Sequence, residues 1–335
     1  TFSPGPDSGR SAAPEQTARP ALSPTRSPAT RRLREGRKNC KDGPALILGA
    51  IDISKRATRL KVAEVGTGDS VRLLERSSLV SAELSNCDRL SALLMAEIEA
   101  ARDAGADHVE VVATRSLRGT RLLRLLDRVC RASGAGGILL PDPEQRLAST
   151  FRAATVPSAG ELEGTVAVAR VGESTTGIAV GAPGERPGWV GSRPVGCATL
   201  TEKARFSDPP RPNQIEAAVT AAVRKLETLS PPAADRVLLS TPLAAALERI
   251  CGPHIDPASA RRGLGSILGQ TGDDIAAWFG TESGQGRLLP ATIVCCLGLA
   301  EVLGTAVEPR EADPVAGRFW LTEAGRTSAG SGRET

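Results

Sequence analysis

Ala45-Leu46-Ile47-Leu48-Gly49-Ala50-Ile51-Asp52-Ile53 holds one polar side chain, Asp52, in an otherwise apolar run. A run this short and this apolar reads as a central β-strand buried on both faces. The carboxylate near its end is out of place there, because burying an unpaired charge is costly. Outward from this strand, Thr58–Val65 alternates through Leu60 and Val62, and Val71–Arg76 follows a polar turn, which predicts a three-strand antiparallel meander. Leu90, Leu93, Leu94, Ile98 and Ala101 recur at helical spacing over Cys87–Ala104, and Gly105 ends that helix. Val109–Thr114 then reads as a strand, Arg121–Arg131 as a helix and Ile138–Leu140 as a short strand. Glu144–Ala154 reads as a helix opened by Asp142-Pro143.

The same order starts again at Gly164. Thr165–Val171 is apolar enough for a second buried strand, and Gly177–Val180 and Trp189–Pro194 complete a second meander. Helices follow at Thr199–Phe206 and Gln214–Leu229, then a strand at Arg236–Ser240 and a helix at Pro242–Ile250, with helices dominating to Leu303. Two meanders, each followed by alternating helices and strands, predict a duplicated α/β architecture with a cleft between the two domains. The expected boundaries are a basic Pro/Ser/Arg-rich tail over 1–44, a first domain over 45–155, a second over 156–306, and a polar C-terminal tail over 307–335.

Charge narrows the class of partner. The chain carries +4 overall, but residues 1–44 hold nine Lys/Arg against four acids, which leaves −1 for the remainder. A near-neutral folded part argues against a dedicated nucleic-acid-binding domain. Residues 1–44 lack apolar periodicity and are expected to be disordered. The seven cysteines (40, 87, 130, 197, 251, 295 and 296) form no C-x-x-C pair, and there are only two histidines, so a structural zinc site is not expected. Scattered thiols with apolar flanks read as reduced, in a cytoplasmic protein. No uninterrupted apolar stretch reaches the roughly 18 residues of a membrane span, and no signal peptide is expected.

Several segments, in order, resemble the exopolyphosphatase/guanosine pentaphosphatase (Ppx/GppA) family of the actin and sugar-kinase superfamily. They are Ala50-Ile51-Asp52-Ile53 with Arg59–Val65, and Val111-Val112-Ala113-Thr114-Arg115-Ser116-Leu117-Arg118, which is similar to the family's VATSALR. Pro141–Gln145 stands where the family has SGxEE, and Val171–Thr176 where it has IGGGST. Gly196–Glu202 followed by Asp208-Pro209-Pro210 is similar to GAxxLTE…DPP. The resemblance spans about residues 46–305 and implies two stacked ribonuclease-H-like (actin-like ATPase) domains with an interdomain cleft.

It also implies a phosphatase that hydrolyses the terminal phosphoanhydride bonds of polyphosphate or guanosine pentaphosphate, with Mg2+ as cofactor, and it leaves room for a homodimer. Such a reaction needs donors that cradle the phosphates, a cation and a positioned water. By resemblance, Glu144 is the catalytic base, Asp52 the metal- or water-organising acid, and Arg118 a phosphate ligand. The turn at Ser54, Lys55 and Arg56 and the turn at Gly172, Ser174 and Thr175 are the phosphate-binding loops.

The loops depart from the family pattern. Asp52-Ile53-Ser54-Lys55-Arg56-Ala57 stands for DIGSNS and has lost its glycine. In the second turn Arg170 replaces an Asp, Glu173 and Ser174 replace glycines, and Gly177 stands where an acid is expected. Leu239-Ser240-Thr241 replaces a later glycine-rich turn. The alternative reading is therefore a catalytically degenerate relative that binds a phosphorylated ligand or a protein partner. An ATP-dependent kinase or actin-like assembly would share the fold alone.

Overall fold

The structure is a computed structural model, and it describes residues 46–53, 57–65, 71–76, 80–81, 87–113, 119–135, 137–156, 160–281, 283–310 and 312. The first sheet contains β1 (Leu46–Ile53), β2 (Ala57–Val65), β3 (Val71–Arg76), β4 (Val80–Ser81), β5 (His108–Ala113) and β6 (Ile138–Leu139). Its order is β3-β2-β1-β5-β6, with β4 paired to β2. The second contains β7 (Val166–Val171), β8 (Thr176–Gly181), β9 (Trp189–Arg193), β10 (Arg236–Ser240) and β11 (Glu308–Arg310), in the order β11-β10-β7-β8-β9. Read from each meander inward, the two orders are the same. In both, the first strand runs antiparallel to the second and parallel to the fourth-position strand. This is the duplicated α/β fold expected from the sequence.

The helices are α1 (Cys87–Asp103), α2 (Arg121–Ala132), α3 (Pro143–Thr155), α4 (Cys197–Lys203), α5 (Pro212–Leu226), α6 (Ala244–Cys251), α7 (Pro257–Ile267), α8 (Gly272–Phe279), α9 (Ser283–Gly286) and α10 (Leu289–Leu303). Strand alternation sorts the core into layers. Ile51 and Ile53 of β1, with Leu60 and Val62 of β2, pack against Leu90, Leu94 and Ile98 of α1. Leu48, Ala50, Ala63 and Val65 form a separate cluster on the opposite face. In β7, Ala167, Ala169 and Val171 join the main core beneath α5, α6 and α10, whereas Val166 and Val168 face α3.

Helix α3 decides how the two halves meet. Asp142 caps it: its Oδ1 accepts from Gln145 N at 2.7 Å, and Gln145 Oε1 accepts from Asp142 N at 3.0 Å. Pro143 occupies the first turn, where its missing N–H is no loss. The sequence reading closes the first domain with this helix, yet its apolar stripe, Leu147, Phe151 and Ala154, packs on Val166, Val168, Ala179 and Leu238 of the second sheet. The helix follows the first sheet in sequence and belongs to the second by packing.

Two further differences concern the C-terminal part. Residues 307–335 read as a polar tail, but Glu308–Arg310 forms edge strand β11, parallel to β10, and Arg236 pairs with Glu308. A three-residue polar strand with a central proline carries no periodic signal, and proline is tolerated at an edge. Gly284–Leu303 is long and apolar enough to cross a bilayer by length and composition, although no such segment is expected from the sequence. It is 78% buried inside the protein, and Leu289–Ala300 of α10 is buried on every side, so it is the central helix of the second core.

Cys130, Cys197, Cys251, Cys295 and Cys296 are free and buried. Burial pushes the Cys130 and Cys251 thiols up to about 11 and the Cys295 and Cys296 thiols higher still, so all four are held protonated. The tail over 1–44 lies outside the described residues.

Candidate functional site

The polar side chains at the seam between the sheets come from four elements. Asp52 is the penultimate residue of β1, on the face opposite α1. Arg59 of β2 is its direct cross-strand partner and shares that face. Arg146 lies in the first turn of α3, and its Nη2 donates to Asp52 Oδ1 at 3.4 Å. This ion pair ties the first sheet to the helix that packs on the second.

Arg170 arrives from the other side. It is the penultimate residue of β7 and continues the face of Val166 and Val168, the face covered by α3. Its cross-strand partner in β8 is Gly177, and Leu147, next to Arg146, fills the space over that glycine. A side chain at Gly177 would collide with Leu147 and with the Gly191 carbonyl, so the acid expected there has no room. Arg170 is paired on its other edge with Ser240 of β10. Burial first, and then the charge of Arg146, pull its pKa below the usual arginine range; the negative charge of Asp52 opposes both, and Arg59 adds to the depression. Three arginines and one carboxylate thus come together at the seam, with one of the arginines, Arg146, ion-paired to the carboxylate.

The second turn is built around this arginine. Gly172 N donates to Thr175 O at 2.9 Å and closes the loop. A methyl group at Gly172 would sit 3.0 Å from Arg170 Nη1 and 3.1 Å from the Thr175 carbonyl, so glycine here lets the guanidinium lie against the backbone. The carbonyls of the turn face α4. Gly172 O accepts from Cys197 N at 3.0 Å, and Glu173 O accepts from Ala198 N at 3.0 Å and Thr199 N at 3.1 Å. The Cys197 thiol also approaches Gly172 O, at 3.5 Å, and the Thr199 hydroxyl approaches Ser174 O at 3.5 Å. The first-turn donors of α4, a ready anion site in other helices, are thus satisfied within the protein. Asp208, from the Asp-Pro-Pro segment, accepts from Gly272 N at 2.7 Å and pairs with Arg287 at 3.2 Å, so it ties α8 to the entry of α10.

Of the residues named from sequence, Asp52 lies at the seam and Gly172, Ser174 and Thr175 form the turn beside Arg170. Glu144 is exposed in the first turn of α3, two residues from Arg146. Ser54, Lys55, Arg56 and Arg118 lie outside the described residues. Arg59 and Arg146 were not singled out from sequence. Hairpin register places Arg59 opposite Asp52, and Arg146 becomes visible only when α3 is known to cross the seam.

Solved structures share this fold. An Aquifex aeolicus enzyme described as PPX-GPPA superposes with a TM-score of 0.69 at 17% identity, covering 83% of this chain and 100% of its own. An exopolyphosphatase-like protein gives a TM-score of 0.71 at 16% identity, covering 84% and 99%. The chain has the Ppx/GppA fold. An exopolyphosphatase from Cytophaga hutchinsonii matches similarly, with a TM-score of 0.67 at 14% identity over 83% of this chain and 98% of its own. No protein-family model matches the sequence, and no curated protein matches it.

The Ppx/GppA fold raises the question of Mg2+, which takes oxygen ligands in octahedral geometry and is usually held by one or two carboxylates. The described residues do not fit it. The Asp52 carboxylate is engaged by Arg146, with Arg59 as its cross-strand partner and Arg170 near enough to feel its charge. Among the described residues no group of three or more His, Cys, Asp or Glu is placed to hold a metal ion.

Proposed function

We propose that this chain binds the phosphate chain of a polyphosphorylated ligand, polyphosphate or guanosine pentaphosphate, at the seam between its two sheets, and that hydrolysis of the terminal phosphoanhydride bond is lost or very slow. The observation that carries this reading is that Arg59, Arg146 and Arg170 gather at the seam with Asp52, which pairs with Arg146. Three cations against one carboxylate leave a net +2 in a partly buried place, which favours a multiply charged anion. Guanidiniums are suited to phosphate oxygens, which they bind in pairs of parallel N–H···O bonds. Phosphoryl transfer further requires that charge on the transferring group be neutralised while a water is aligned. The one carboxylate of the cluster is ion-paired to Arg146.

A hydrolase is the second reading, favoured by the place of Glu144. The turn that carries it also carries Arg146, so a base there would stand near phosphates bound to the arginines. The two readings separate by titrating tripolyphosphate into the purified chain and, in parallel, following orthophosphate release from tripolyphosphate, long-chain polyphosphate and guanosine pentaphosphate. Saturable binding with release at the buffer rate, unchanged in Glu144→Gln, is the expected outcome. Rapid release that Glu144→Gln abolishes would establish the hydrolase instead.

A further inference from the structure

The charge at the seam has a second consequence, which rests on the phosphate-binding reading. Like charges crowded into a partly buried site repel, and each loses hydration that only a counter-ion can replace. Asp52 balances one of the three guanidiniums, through Arg146. Among the described residues no second carboxylate is ion-paired to Arg59, Arg146 or Arg170, and the first-turn N–H groups of α4 are already bonded to Gly172 and Glu173 carbonyls. An anion from solution would supply the negative charge that these described residues do not. A divalent cation has the wrong sign for this place, because it would add charge to a site already in excess.

We propose that Arg170 stands in for a bound metal ion, so that the site holds tripolyphosphate-like anions on Arg59, Arg146 and Arg170 without any divalent cation. The guanidinium is positioned for this role by the turn it lies against. Gly172 leaves it the space, and Leu147 over Gly177 closes the side from which an acid would otherwise approach it. It is a fixed cation, held at the end of a central strand with strands paired on both of its edges.

The experiment is calorimetric titration of the purified full chain with sodium tripolyphosphate, once in EDTA and once in millimolar Mg2+. Binding in EDTA should be as tight as in Mg2+ or tighter, because free Mg2+ competes for the ligand. In EDTA, Arg170→Gln should weaken binding tenfold or more, while Arg170→Lys, which keeps the cation and loses the paired donors, should fall between the two. Binding that appears only with Mg2+ would overturn this inference and leave the phosphate-binding reading standing. An Arg170→Gln variant that binds like wild type in EDTA would also overturn it. No binding in either buffer removes both. Circular dichroism shows whether each variant folds, and if Arg170→Gln does not, the comparison of EDTA with Mg2+ on the unaltered chain still decides.

Discussion

Replacing Asp52 by Asn should destabilise the empty protein and strengthen its grip on phosphate. The Arg146–Asp52 contact is 3.4 Å. At an effective dielectric constant of 20, two unit charges at that distance attract by about 5 kcal/mol. Both side chains keep some contact with water, 16% for Arg146 and 21% for Asp52, so the desolvation they have suffered and the screening that remains reduce the net worth to about 2 kcal/mol. For a folded unit of this size that is a fall in Tm of about 4–8 °C. The same change removes the negative charge that competes with an incoming anion, and tripolyphosphate affinity should rise about tenfold, equivalent to about 1.4 kcal/mol. At a ligand concentration a hundredfold above Kd, linkage adds about 2.7 kcal/mol to the folded state, enough to restore the melting temperature lost to the substitution. Differential scanning fluorimetry with and without tripolyphosphate, at low and high salt, reads both effects. If Asp52→Asn melts like wild type and tripolyphosphate shifts the two proteins equally, the carboxylate is not what balances the arginines, and the electrostatic account of the site is wrong.

Three other outcomes follow from the packing. Glu97 of α1 is 7% exposed, accepts from the Thr58 hydroxyl at 2.8 Å, and has its pKa raised by burial, with the Thr58 bond opposing. The folded state therefore binds the proton more tightly, and stability falls as pH rises from the unfolded value of about 4.5 through the raised folded value. Glu97→Gln should stabilise the protein at pH 7.5 and change little at pH 4, as urea unfolding at the two pH values would reveal. Phe151 is fully buried between α3 and the second sheet, and Phe151→Ala should lose about 3–5 kcal/mol in the same assay; a loss below about 1 kcal/mol would contradict the packing of α3 described above. A Cβ at Gly196 would meet Glu173 O at 2.6 Å and crowd the Gly172 carbonyl as well, so Gly196→Ala should push the second turn off α4. It should cost about 1–3 kcal/mol in thermal unfolding and weaken tripolyphosphate binding through Arg170, whereas an unaltered affinity would separate the turn from the site.

Hydrophobic pattern was enough to reveal both meanders and the helices between them, because buried strands such as Leu46–Ile53 and Val166–Val171 leave little else for those residues to be. The bounds of Arg236–Ser240 are legible to the residue, since a charge and a turn enclose it. Pattern failed where neighbours in space decide. Periodicity gives α3 an apolar stripe and does not say which sheet the stripe meets, so sequence order alone places the helix with the half it follows. The same blindness hid Arg146, an ordinary solvated-looking arginine until α3 is laid across the seam. Arg59 was legible in principle, from the register of a hairpin closing around residues 54–56, but nothing in its own surroundings distinguishes it from the chain's many other arginines.

The repeated strand order has a corollary for how the molecule holds itself shut. Asp52 and Arg170 each occupy the penultimate position of the central strand of their own half, so they are counterparts under the internal duplication. Matched positions across such a pseudo-dyad would repel if both were acidic, and the halves would then need a bridging cation to close. Here the counterparts have opposite signs, and Arg170 feels the attraction of Asp52 directly. The seam is polarised, a clasp made of the protein's own charges, and an arriving anion has to compete with Asp52 for the arginines that fasten it.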